Sequence, residues 1–115
     1  MVPPAPTVVH GWQRGALFDN VLAQRGYAVV KVDNRSATAR SKADENTVLG
    51  QLSGDSEFND LLDAVRWLKE QPWVDPERVG MWGWSGGGTT TLLMMTRSKE
   101  LRAGIAVAAV TDWDY

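Results

Sequence analysis

Eight apolar residues run without interruption from Ala103 to Val110, AGIAVAAV. A stretch this short and this uniformly apolar reads as a strand covered on both faces, the usual setting of a parallel sheet. Two further segments fit the same description. Tyr27 to Asp33, YAVVKVD, is a short β-branched run, and Val79 to Trp82, VGMW, precedes a glycine-rich stretch. Helical patterns fall between the strands. Leu17, Phe18, Val21 and Leu22 mark one face of a helix from Leu17 to about Arg25, with Gly26 in the place of a C-terminal cap. Ser56 is placed to cap a second helix, with Glu57 in its first turn. Its apolar face is Phe58, Leu61, Leu62, Val65 and Leu68, and Pro72 stops it. Asp75-Pro76-Glu77-Arg78 predicts a tight turn in which Asp75 accepts backbone N–H bonds. Thr90 to Arg97 predicts a third helix, although its three threonines weaken helical propensity. The resulting order is helix, strand, helix, strand, helix, strand. That order predicts an α/β fold of three or four mostly parallel strands with crossover helices.

A chain of 115 residues accommodates one small domain. Apolar content of 43% and charged content of 23% are ordinary for a soluble globular protein. The net charge of -2, with basic residues scattered, offers no footprint for nucleic acid or an anionic membrane. No apolar run reaches the roughly 18–20 residues needed to cross a bilayer. The compartment is left open. There is no cysteine, so a thiolate nucleophile, a disulfide framework and a cysteine zinc site are all excluded. The lone His10 cannot build a metal site by itself, and the sequence calls for no cofactor. The Pro-rich residues 1–7 read as irregular, and the polar stretch 34–55 as a long loop of the kind that is functional or a lid.

Gly83-Trp84-Ser85-Gly86-Gly87 matches G-x-S-x-G, with a predicted strand before it and a predicted helix after it. The chemistry explains the spacing. A sharp strand-to-helix turn strains the serine backbone and pushes Oγ out of the sheet edge. The flanking residues must be small to clear the neighbouring strand and helix. The helix that follows offers free N–H groups to a developing anion. The bland alternative is a Gly/Ser turn closing a strand–helix connection. A phosphate loop fits poorly, because the lysine of G-x-x-x-x-G-K-[ST] is missing.

Three segments resemble the prolyl oligopeptidase-type serine peptidases, most of all their dipeptidyl peptidase IV-like branch. They are LAQRGYAVVKVDNR, QPWVDPERVGMWGWSGGG and GIAVAAVTDWDY, and the resemblance runs from about Thr7 to the end of the chain. It implies that residues 1–115 are part of a peptidase catalytic domain with the α/β-hydrolase fold. It implies acyl transfer, with Ser85 as nucleophile and the Gly86 backbone N–H as one oxyanion donor. Val110 and Trp113 match positions that line the pocket for the residue before the scissile bond, often proline. The implied partners are a peptide substrate, the rest of the catalytic domain, a propeller domain and a possible oligomer.

The chain also departs from that pattern. The hydrolase order is Ser, then Asp, then His. Asp112 and Asp114 follow the last strand too closely for the acid and read as solvated or turn residues, and His10 precedes the serine. The base and acid are therefore expected beyond Tyr115. Where the family carries an oxyanion tyrosine the chain has MVPPAP. Position 86 is glycine where tyrosine is common, and Asp33-Asn34-Arg35-Ser36 stands in place of D-x-R-G. A serine without its base is a poor nucleophile, so the 115 residues alone are expected to be inactive. An esterase of the same fold, or a non-catalytic remnant, are the alternatives.

Overall fold

The computed structural model describes residues 17–37, 41–46 and 54–112. The elements are α1 (Leu17–Gln24), α2 (Lys42–Glu45), α3 (Asp55–Lys69), β1 (Gly80–Trp84), α4 (Gly86–Arg97) and β2 (Ala103–Val107). A 3-10 turn, Pro76–Arg78, leads into β1. Asp75 caps that turn by accepting the Glu77 N–H at 3.0 Å, as the DPER motif predicts.

β1 and β2 pair in parallel, with Gly80 opposite Ala103, Trp82 opposite Ile105 and Trp84 opposite Val107. Two parallel strands cannot be joined by a tight turn. Here α4 makes the crossing and packs on one face of the pair. That face presents Met81, Gly83, Gly104 and Ala106. Gly104 is required there, because a Cβ would lie 2.7 Å from Cγ of Met95 on α4. Met94 and Thr91 of α4 are completely buried. On the opposite face Trp82 and Ile105 are 49% and 64% exposed. The Phe18 ring of α1 meets Trp82 there edge-on, with centroids 5.5 Å apart.

Helix α3 packs on α4. Arg97 ties the two together, pairing with Asp55 at 2.6 Å and lying 4.3 Å over the Phe58 ring. Phe58 is buried, while Leu61, Leu62, Val65 and Leu68 are partly covered. The helix therefore turns its apolar face inward as its spacing predicts.

Four expectations are corrected. The segment Tyr27–Asp33 carries no strand among the described residues. Among these it joins no ladder, and a strand exists only through a neighbour. The described sheet has two strands and not three or four. The cap of α3 is Gly54, not Ser56. The extended Gly54 lets the helix begin at Asp55, which leaves Ser56 inside the first turn with its Oγ buried and unpartnered. Helix α4 begins at Gly86, four residues before Thr90. Glycine is a poor helix former, but the Thr90 and Thr91 hydroxyls bond back to the Gly86 and Gly87 carbonyls at 2.9 and 2.8 Å. The helix α1 ends as expected, with Gly26 at φ 86°. Of the loop 34–55, the described part carries the four-residue α2. Residues 1–7, His10, Trp113 and Asp114 lie outside the described residues.

The approach to β2 is fastened by Glu100. Lys69 Nζ donates to Glu100 Oε2 at 3.0 Å and to the Glu100 carbonyl at 3.1 Å, and Arg66 Nε donates to Oε1 at 3.3 Å. The hydrogen bond from Lys69, followed by that from Arg66, holds the Glu100 carboxyl below its ordinary value of 4.5. A carboxyl lowered on folding adds stability above its unfolded pKa and loses it as pH falls through the folded one. Replacing Glu100 with Gln is thus expected to lower the melting temperature at pH 7. The gap to the parent should narrow as pH drops below about 4.5 and shrink in high salt. Melting curves of both proteins across pH check this; a gap constant with pH would contradict it.

Candidate active site

Ser85 stands between β1 and α4 with φ 54° and ψ −117°. A non-glycine residue with positive φ is uncommon, and such strain persists only where the surroundings over-determine it. Here they do. Ser85 N–H donates to the Val107 carbonyl of β2 at 2.8 Å, and the Ser85 carbonyl accepts the Thr89 N–H at 3.0 Å. The side chain is exposed. Strand, turn and helix thus pin the serine backbone from both sides and leave its hydroxyl to solvent.

The glycines divide into two kinds. At Gly83 a Cβ would fall on the Gly87 carbonyl group, with the Gly87 Cα only 2.8 Å away. The strand and the helix therefore touch backbone to backbone beneath the serine. At Gly88 a Cβ would lie 2.9 Å from the Val107 carbonyl oxygen and 3.1 Å from the Ala109 Cβ. Gly86 and Gly87 are different, since a Cβ at either meets nothing within 4 Å. Glycine at 86 is thus not demanded by packing, and the space a larger side chain would take is open.

Gly86 is the first residue of α4. The leading N–H groups of a helix have no partner within it, and the dipole makes that end weakly positive. The strained serine and this unfilled donor end are consecutive residues.

Val110 lies past the end of β2, 38% exposed, with its backbone N–H donating to Thr89 Oγ1 at 3.0 Å. The chain reaches it through Ala108, which also has a positive φ, 48°. Asp112 is exposed. Among the described residues no group of three or more His, Cys, Asp or Glu is arranged to hold a metal ion. None of their helices is long and apolar enough to cross a membrane.

The D-x-R segment makes a separate cluster. Arg35 forks onto Asp60 of α3, Nε at 2.9 Å and Nη2 at 2.6 Å, while its own N–H also donates to Asp60. The hydrogen bond to Asp60 raises the Arg35 pKa further, keeping it charged. Next to it, Ser36 Oγ donates to the buried Glu57 at 2.6 Å. A cleft of about 430 Å³ opens between Val32, Asp33, Asn34, Arg35, Asp44, Asp60 and Asp63. It includes no residue of the serine turn. Its acidic, water-exposed lining suits loop fastening and not the seating of an uncharged acyl group.

The family is decided by comparison with known proteins. Residues 18–115 match the model of the prolyl oligopeptidase family, Peptidase_S9. The chain belongs to that family. Among curated proteins it is 40% identical over 97 residues to a probable dipeptidyl-aminopeptidase B of Grosmannia clavigera, covering 83% of this chain and 10% of that one. The same named protein of Fusarium vanettenii is 39% identical over 97 residues, with the same coverage. That of Ajellomyces capsulatus (strain NAm1) is 36% identical over 104 residues, 88% of this chain and 11% of the relative. The chain spans about a tenth of the length of these relatives. Membership brings the α/β-hydrolase fold, of which β1, α4 and β2 with their serine turn are one unit.

The sequence reading singled out Ser85, Gly86 and Val110, and the structure brings these three to one end of the parallel pair. Trp113 falls outside the described residues. Thr89 went unnoticed. It lies just before the helix expected from Thr90, yet a hydroxyl four residues after the serine is at the spacing that returns to the serine carbonyl.

The two kinds of glycine separate in stability. Gly83→Ala is expected to cost about 3 kcal/mol or more, because backbone must move. Gly87→Ala is expected to gain about 0.5–1 kcal/mol from helix propensity. Urea titration of both variants checks the contrast, and equal effects would refute the close approach.

Proposed function

We propose that Ser85 is the nucleophile of a serine peptidase that cleaves by acyl transfer, and that these residues form part of its catalytic domain. The observation that carries the reading is the strained backbone of Ser85, φ 54° and ψ −117°, at a strand-to-helix turn in a prolyl oligopeptidase family member. In the proposed reaction Ser85 Oγ attacks the carbonyl carbon of the scissile peptide bond. The oxygen of the tetrahedral intermediate takes a hydrogen bond from the Gly86 N–H, in the weakly positive field at the start of α4. Collapse expels the amine, which leaves with the proton taken from Ser85. Water then releases the acyl group. Val110 is proposed to line the pocket for the residue before the scissile bond, the role that the sequence resemblance gives to Trp113 as well. The similarity to proteins named dipeptidyl-aminopeptidase B supports dipeptide release as the specific activity.

The base is placed outside these 115 residues. Their one histidine, His10, precedes the serine, against the Ser–Asp–His order of the fold. The segment alone is accordingly proposed to be inactive, and the natural full-length protein to be the active form.

A fluorophosphonate, which reacts only with an activated serine, tests both halves. It is expected to label the full-length protein at Ser85 and to leave the 115-residue chain unlabelled. Ser85→Ala should abolish labelling and lower peptidase kcat by more than about 10³-fold. Labelling that survives Ser85→Ala would assign the chemistry to another residue, and labelling of the short chain would show that it carries its own base.

A further inference from the structure

Thr89 is buried, 8% exposed, on the first turn of α4. It has two attachments. Its backbone N–H donates to the Ser85 carbonyl at 3.0 Å. Its Oγ1 lies 3.0 Å from both the N–H and the carbonyl oxygen of Val110, accepting from the first and donating to the second. The Ser85 carbonyl is also within reach, at 3.4 Å, but a hydroxyl has one proton and the nearer Val110 oxygen takes it.

This bond occurs where the fold needs one. The ladder ends at Val107 and the chain turns away through Ala108 at positive φ. Val110 is therefore past the last strand partner, and one buried oxygen satisfies both its backbone groups. Gly88 lets the turn come this close, since any side chain there would strike Val107 and Ala109. The result is a short rigid path from the serine to an exposed apolar side chain: Ser85, Thr89, Val110.

We propose that Thr89 is a positioning residue, whose hydroxyl fixes Val110 at a set distance from Ser85 and so holds the apolar wall that receives the acyl-side residue of a peptide substrate. The proposal rests on the reading of Ser85 as nucleophile. Thr89→Val keeps the shape and removes the hydroxyl, leaving both Val110 groups unpaired. Thr89→Ser keeps the hydroxyl. Thr91→Val is the control, because Thr91 is more deeply buried yet its hydroxyl bonds the Gly87 carbonyl of its own helix.

Two measurements on the natural full-length protein decide it. In amide hydrogen exchange, Thr89→Val is expected to speed exchange at Val110 by about tenfold relative to neighbouring amides, with Thr89→Ser and Thr91→Val close to the parent. With a dipeptidyl p-nitroanilide as substrate, Thr89→Val is expected to raise KM about tenfold with kcat held within about threefold, and Thr89→Ser to restore KM. Unchanged Val110 exchange in Thr89→Val overturns the proposal. So does a loss of kcat at constant KM, or failure of Thr89→Ser to rescue. A parent protein that cleaves nothing and takes no fluorophosphonate at Ser85 removes the nucleophile reading and the pocket role with it, while exchange at Val110 still reports whether Thr89 holds the turn.

Discussion

Everything near the serine depends on one contact without side chains. Where β1 ends and α4 begins, the chain reverses so tightly that the Gly83 α-carbon faces the Gly87 backbone with no room for a methyl group. The turn residue cannot relax into an ordinary conformation while strand and helix are held that close. Ser85 takes the strain, and the bonds to Val107 and from Thr89 keep it there. A backbone clash avoided by glycine is thus turned into an exposed hydroxyl at a fixed place. The same approach starts α4 immediately after the serine, which sets the free N–H end of the helix beside it.

The remainder of the described structure supports that corner from below. The parallel pair gives α4 a surface, and the buried Met94 and Thr91 secure the helix to it. Arg97 joins α4 to α3, and Glu100 joins α3 to the entry of β2. Arg35 and Ser36 then fasten the D-x-R segment to α3 through Asp60 and Glu57. The ion pairs are mostly at the surface and individually weak. Their effect is to align elements whose apolar contacts supply the energy. The other face of the pair remains open at Trp82, Trp84 and Ile105. Near them the Phe18 ring of α1 meets Trp82 edge-on.

The local chemistry of the motif could be read directly. Gly83, Ser85 and Gly86 at their spacing, between an apolar strand and a helix, state a strained turn before any coordinate is known. The Asp75 cap and the Gly26 stop were equally legible, because each depends on residues a few positions apart. The errors fell where distant groups decide. YAVVKVD has the composition of a strand but finds no ladder among the described residues, and composition cannot supply a neighbour. Ser56 is a good cap by identity, but Gly54 set the start of α3 two residues earlier. Propensity argued against Gly86–Gly88 as helix, and packing against Val107 with back-bonding threonines outweighed it.

The sequence by itself determined the motif, its strand–turn–helix setting and the family, since these rest on residue types at short fixed spacings. Only the tertiary structure separated the glycines, requiring 83 and 88 and leaving 86 and 87 open, because a missing methyl group matters only where another backbone occupies its volume. Only the tertiary structure showed Thr89 joining the serine turn to Val110 across 21 residues of chain. A hydrogen bond of that separation leaves no periodic trace; it exists because β2 returns parallel to β1 and delivers the second partner to the first.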